Sequence, residues 1–245
     1  METLQSHKTI HIVGIGGAGM SAIARVLHGR GFAVQGSDRR ASPLIDALRE
    51  EGIPVAVGHA AENIGQADLV LASSAIPDDN VELLTAQQRG IEVARRPDFL
   101  RELTAGHEVI AVAGAHGKTT VTGMITRILV EAGLDPTFIV GGVMSSLGTN
   151  ARAGKGKYFV IEADEYRNTF LALSPRIAVI TNVEFDHPDY FPSLRFVRLA
   201  FGEFVDNIRP QGLLVACNDD KIAHEIAASF PVSYTHLTLP TKRIV

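Results

Sequence analysis

Val109-Ile110-Ala111-Val112-Ala113-Gly114-Ala115-His116-Gly117-Lys118-Thr119-Thr120 is an apolar run that passes directly into a glycine turn closed by Lys-Thr-Thr. A strand, a glycine-bearing turn and a helix opening at Lys118 make a phosphate cradle. Backbone N–H groups of the turn and of the helix start face an anion, Lys118 adds a mobile positive charge, and the Thr119 hydroxyl suits Mg²⁺. The residues Gly114, Ala115, His116, Gly117, Lys118, Thr119 and Thr120 are therefore the candidate nucleoside-triphosphate loop. Val112 stands where a full G-x-x-x-x-G-K-T pattern has its first glycine.

Outward from this loop, strands and helices alternate. Before it come strands at 9–15, 32–35, 69–72 and 91–94 and helices at 18–29, 43–51, 80–89 and 97–105. After it come a helix at 118–132, strands at 137–140, 158–161, 177–181 and 213–216, and helices at 193–207 and 219–229. Such alternation predicts an α/β fold of parallel βαβ units. A Rossmann-like parallel-sheet N-terminal domain (1–105) is followed by a P-loop ATPase-type central domain (106–231), expected to be incomplete. The Gly-rich, polar stretch 146–157 reads as a loop. The last stretch, 232–245, does not fit: Val232-Ser233-Tyr234-Thr235-His236-Leu237 resembles a translated transposon end from sequencing libraries. It reads as a non-native tail, kept out of fold reasoning.

Composition narrows the function classes. A net charge of −4 offers no basic footprint for a nucleic-acid partner. No apolar run approaches the ~20 residues of a membrane span, and Met1–Lys8 has no signal-peptide core. The expected location is the cytoplasm, with no membrane partner. The single cysteine, Cys217, sits in an apolar run and reads as a buried small hydrophobe.

A second glycine turn, Gly14-Ile15-Gly16-Gly17-Ala18-Gly19, follows the first strand, and Asp38 comes about twenty residues further on. That spacing suits a diphosphate, with the acid near a ribose or base, and leaves NAD, FAD and a UDP-sugar equally open. Two acidic segments follow later strands: Glu162-Ala163-Asp164-Glu165 and Asn182-Val183-Glu184-Phe185-Asp186-His187. Carboxylates at strand ends beside a phosphate loop suit Mg²⁺. The run Gly148-Thr149-Asn150-Ala151-Arg152 could close over an anionic substrate.

Taken in order, these motifs, with Gly36-Ser37-Asp38 and Ser73-Ser74-Ala75-Ile76, resemble the Mur ligases of peptidoglycan synthesis across nearly all of 9–229. The resemblance implies that Gly16, Gly17, Ala18 and Gly19 bind a UDP diphosphate, with Ser37, Asp38, Ser73 and Ser74 completing the UDP-sugar site. It implies that Lys118 and Thr119 hold ATP phosphates and Mg²⁺, that Asn182 lies near ATP, and that Thr119, Glu162 and His187 are metal ligands. Lys118, Glu162 and His187 are the catalytic candidates. The implied reaction is ATP-dependent joining of L-alanine to the lactyl carboxylate of UDP-N-acetylmuramate through an acyl phosphate, with ATP and Mg²⁺ as cofactors. The chain by itself is expected to be inactive, because the amine-binding domain of the family lies beyond it. Ala115 stands where the family loop commonly has Thr. Glu165-Tyr166-Arg167-Asn168-Thr169-Phe170 and Phe185-Asp186-His187 lean towards the related ligase that attaches a recycled murein tripeptide, the first alternative. An NAD- or FAD-dependent oxidoreductase is the second.

Overall fold

The computed structural model describes Leu4, 7–230 and 235–237. Its elements run β1 (Thr9–Val13), α1 (Ala18–Gly29), β2 (Ala33–Asp38), α2 (Pro43–Glu50), β3 (Val55–Val57), β4 (Leu69–Ala72), α3 (Val81–Gln88), β5 (Glu92–Arg95) and α4 (Arg96–Leu103). They continue with β6 (Glu108–Ala113), α5 (Lys118–Glu131), β7 (Thr137–Met144), β8 (Thr149–Arg152), β9 (Tyr158–Glu162), β10 (Ile177–Ile180), α6 (Leu194–Asp206), β11 (Leu213–Cys217), α7 (Lys221–Ala228) and β12 (Thr235–Leu237). The chain divides into two compact units: Met1–Ala105 with Asp135–Gly156, and Gly106–Leu134 with Lys157–Val245.

In the first unit the strand order is β3-β2-β1-β4-β5, and every pairing is parallel. β1 and β4 are buried along nearly their whole length, as continuous apolar strands of a covered parallel sheet must be. Ile23 and Leu27 of α1 and Ile45 and Leu48 of α2 are fully or almost fully buried. The order reverses between β1 and β4, so the loops leaving those two strands open a crevice at their carboxyl ends. The glycine turn Gly14–Gly19 leaves β1, and Ser73-Ser74 leaves β4.

In the second unit the order is β12-β11-β10-β6-β9, again all parallel. β6 is central and fully buried from Val109 through Ala113 except for slight exposure at Ile110. The chain goes from β6 to β9 on one side and then to β10 on the other. The loops after β6, β9 and β10 therefore converge. Under them, Phe170 stacks on Phe204 at 4.9 Å and meets Phe201 edge-on at 5.3 Å.

Several elements differ from the sequence reading. β2 extends to Asp38, so Ser37 and Asp38 end a strand instead of following one. The stretch read as a loop at 146–157 contains β8, which pairs antiparallel with β7. That hairpin belongs to the first unit and packs on α1. Asn150 is buried there and accepts a hydrogen bond from Arg25, whose Nε also meets Glu51 at 2.8 Å. Asn150 is thus committed to packing in this structure. Cys217 is half-buried at the end of β11, because that strand exposes alternate residues. Within the suspected tail, Thr235–Leu237 pair with β11; 232–234 and 238–245 lie outside the described residues.

Candidate nucleotide sites

The Gly114–Thr120 loop is clamped by the two residues that follow β10. Ala115 N donates to the Asn182 carbonyl at 3.3 Å, and His116 N donates to Asn182 Oδ1 at 2.8 Å. Asn182 Nδ2 and Thr181 Oγ1 both donate to the His116 carbonyl, at 3.3 and 2.6 Å. Gly114 has φ +144°, and a Cβ there would lie 2.0 Å from Thr181 Oγ1. Only glycine fits under that clamp. The helix α5 then begins after Gly117 with no side-chain cap, leaving its first-turn N–H groups without intrahelical acceptors. α2, α3 and α7, by contrast, are capped by Ser42, Asn80 and Asp220. α4 and α6 also start uncapped, but without a glycine turn before them.

Lys118 is folded over this turn. Its Nζ donates to the Gly114 carbonyl at 2.5 Å and to both oxygens of Glu165, at 2.8 and 3.1 Å. The Glu165 side chain is 3% exposed, so Lys118 supplies the charge that lets a carboxylate sit there. Beside it, His187 Nε2 lies 3.8 Å from Glu165 Oε1 and 3.9 Å from Asp186 Oδ2. Glu165, Asp186 and His187 together offer three ligand atoms within 4.8 Å of one another. Thr119 Oγ1 donates to the Glu162 carboxylate at 3.0 and 3.2 Å, giving a second oxygen-rich group on the same loop.

The backbone around this cluster is unusual. Arg167, Asn168 and His187 have φ of 52°, 56° and 54°, in a region that non-glycine residues occupy at a cost of order 1 kcal/mol or more each. Tyr166 holds the arrangement: its ring lies 4.8 Å from the His187 ring, and its hydroxyl donates to Asp189 at 2.8 Å. His187 is thereby held by an aromatic ring and, at its own backbone, by Asp186 Oδ1, which accepts from His187 N at 2.7 Å.

The first glycine turn is held differently. Gly14 N and Ile15 N both donate to the Ser37 carbonyl, at 2.8 and 3.1 Å, and Gly16 N donates to Asp38 Oδ2 at 2.9 Å. Gly14 has φ +80°, and the Ser73 and Ile76 side chains press on the space a Cβ would need. α1 begins at Ala18 with Gly17 as its uncapped start, so here too helix N–H groups lack intrahelical acceptors. Ser73 is tied to β1 through its N–H to the Val13 carbonyl at 3.0 Å. Arg95 Nη1 donates to the Ser73 and Ile76 carbonyls at 3.3 and 2.9 Å, and its guanidinium pairs with Asp78.

Below this turn lies a buried polar network. Glu82 and His11 are 0% exposed, as is Ser37. Glu82 Oε2 accepts from Ser37 Oγ at 2.5 Å and from His11 Nε2 at 3.1 Å; Oε1 accepts from Asn63 Nδ2 at 2.7 Å and Ala60 N at 3.1 Å. Burial raises the affinity of this carboxylate for a proton. The hydrogen bonds from His11, Ser37 and Asn63 and the attraction of His11 outweigh it and bring the pKa down from 4.5 to about 2.

The structure thus brings Gly114–Thr120, Asn182, Glu162, Thr119, Lys118 and His187 to the strand ends of the second unit. Gly16–Gly19, Asp38, Ser73 and Ser74 gather in the first. It groups His187 with Glu165 and Asp186, and Thr119 with Glu162. The Ser37 side chain faces the Glu82 network, so its carbonyl, holding the glycine turn, is its contribution to the site. The sequence places Glu165 in an acidic segment suited to Mg²⁺ without singling it out, and it gives no sign of Glu82. Glu165 lies three residues after Glu162, the one local hint to a second inward carboxylate. Glu82 looks like an acid placed in a first helical turn for the dipole, and nothing local shows it to be buried.

Residues 9–108 match the model of the Mur ligase family catalytic domain, and residues 112–242 match that of the Mur ligase middle domain. The UDP-N-acetylmuramate–L-alanine ligase of Frankia casuarinae is 48% identical over 224 residues, covering 89% of this chain and 44% of that protein. The ligase of the same name from Rhizobium meliloti is 48% identical over 210 residues, covering 86% and 45%. The chain spans about half the length of these curated relatives. Among solved structures, the UDP-N-acetylmuramate:L-alanyl-gamma-D-glutamyl-meso-diaminopimelate ligase of Neisseria meningitides aligns with TM-score 0.85 at 31% identity, covering 94% of this chain and 77% of that one. The UDP-N-acetylmuramate-alanine ligase of Thermotoga maritima aligns with TM-score 0.82 at 33% identity, covering 95% and 53%. With both of its units matched in order and relatives near half identity along most of its length, this chain belongs to the Mur ligase family.

Proposed function

We propose that this chain carries the UDP-sugar and ATP sites of a ligase that joins L-alanine to the lactyl carboxylate of UDP-N-acetylmuramate. The observation that carries the proposal is the convergence on one loop of Lys118, an uncapped helix start and two oxygen-rich donor groups. That arrangement suits transfer of a γ-phosphoryl group. A carboxylate is a poor electrophile; phosphorylating it gives an acyl phosphate, whose carbonyl the alanine amine attacks with loss of phosphate. Lys118 offsets charge on the transferring group, and the α5 N–H groups hold the phosphates behind it. The hard oxygen donors of Thr119 and Glu162, and the Glu165, Asp186 and His187 set, fit Mg²⁺. Mg²⁺ bound there would neutralise phosphate charge and draw two anions together.

L-alanine is favoured over a recycled tripeptide because the relatives near 48% identity bear the alanine-ligase name. Consumption of ATP and a UDP-sugar fits a cytoplasmic enzyme, and no helix among the described residues is long and apolar enough to cross a membrane. Calorimetric titration of the chain with UDP-N-acetylmuramate, ATP with Mg²⁺, and NAD tests this reading. Binding of the first two and no heat with NAD is the expected result; NAD binding at the Gly14–Gly19 turn would reject it.

A further inference from the structure

The Glu82 network has no counterpart in the chemistry just described, yet it lies directly below the turn assigned to the diphosphate. A buried carboxylate is retained only when its lone pairs are met, and here four donors converge on it from three places in the chain. His11 comes from β1, which leads into the glycine turn, and Ser37 comes from β2. Asn63 and Ala60 come from the segment after β3. His59 Nδ1 adds a further polar neighbour, 3.1 Å from Ser37 Oγ and 3.6 Å from Glu82 Oε2. The Ser37 carbonyl carries two of the three hydrogen bonds that hold Gly14, Ile15 and Gly16, and its neighbour Asp38 carries the third.

We propose that Glu82 is a positioning residue for the diphosphate site, fixing Ser37 and Asp38 through the buried Ser37 hydroxyl so that the glycine turn is already set before ligand binds. This deepens, and rests on, the assignment of a UDP-sugar to that turn. Its physical basis is preorganisation. A turn held in its bound geometry loses less conformational freedom on binding, and that saving appears as affinity. The network reaches β1 through His11 and β2 through Ser37, the two strands whose ends carry the turn and its anchors. A carboxylate is the group that meets this set of donors. An amide in its place turns an N–H₂ either to Asn63 Nδ2 and Ala60 N, donor against donor, or to Ser37 Oγ and His11 Nε2, which must give up donating, by hydroxyl rotation and change of tautomer, in order to accept.

The test is Glu82→Gln in the 245-residue chain, read by amide hydrogen exchange without ligand and by calorimetry with UDP-N-acetylmuramate and with ATP and Mg²⁺. Exchange at Gly14, Ile15 and Gly16 should accelerate about tenfold more than at Leu71 in the same sheet, which reports global opening. The dissociation constant for the UDP-sugar should rise about tenfold, the ATP constant staying within about twofold. Equal acceleration at Leu71 and at the turn, with unchanged UDP-sugar affinity of the folded chain, would reduce Glu82 to a stability residue and overturn the proposal. Selective acceleration at the turn in a protein whose wild type binds no UDP-sugar would uphold the positioning role and reject the ligand assignment instead. Should Glu82→Gln not fold, Ser37→Ala removes only the hydroxyl link. It must still accelerate exchange at Gly14 and Ile15 selectively, and failure to do so overturns the proposal.

Discussion

The two glycine turns of this molecule solve one problem by opposite means. Both lead into a helix start with no side-chain cap, and both leave a central parallel strand where the strand order reverses. The Gly14–Gly19 turn is held by backbone carbonyls and one carboxylate, and its support is a buried network centred on Glu82. The Gly114–Thr120 turn is held by half-buried Thr181 and Asn182, through both side chains and the Asn182 carbonyl, and Lys118 is folded over it. A site that only holds a diphosphate gains from being rigid. The phosphoryl transfer proposed for the second turn would need a charge that follows the group, and Lys118, resting on Gly114 and Glu165, has partners it could exchange for phosphate.

Gly114 should separate the two turns most strongly. Alanine there would place its Cβ against Thr181 Oγ1 at a φ of +144°, so Gly114→Ala should weaken ATP binding by at least about 100-fold, nearly 3 kcal/mol. UDP-sugar binding in the other unit should hold; calorimetry with each ligand checks this. A smaller effect sharpens the other side. Glu82 has its folded-state pKa lowered from 4.5 to about 2, so its stabilising contribution is complete above pH 4.5 and is lost as pH falls to about 2. The loss is on the order of 3 kcal/mol across that window, partly masked by other carboxylates. Urea unfolding followed through residues of the first unit should show this slope in the wild type and a shallower one in Glu82→Gln.

Much of this was legible in the sequence because it is local. Strand, glycine turn and helix follow one another within a few residues, and both turns, α1 and β4 lie where the apolar spacing puts them. What escaped is held by distant partners. β3 is three residues between Pro54 and Gly58, too short for any periodicity. β8, Thr149-Asn150-Ala151-Arg152, has no apolar alternation and becomes a strand because β7 pairs with it and Arg25 of α1 holds Asn150. Glu82 is polar in sequence and buried in space, since its partners lie 19 to 71 residues away. Glu165 shares this character: only the fold brings it to Lys118, 47 residues earlier.

Two independent sites, with Lys118 serving one of them alone, is the arrangement proposed for this chain. Its most direct test is calorimetry of Lys118→Ala with UDP-N-acetylmuramate and with ATP and Mg²⁺, on protein shown by circular dichroism to be folded. Loss of charge-assisted contacts to phosphate should raise the ATP dissociation constant about 30-fold, near 2 kcal/mol, while the UDP-sugar constant stays within about twofold. Unchanged ATP affinity, or an equal loss for both ligands, would contradict it.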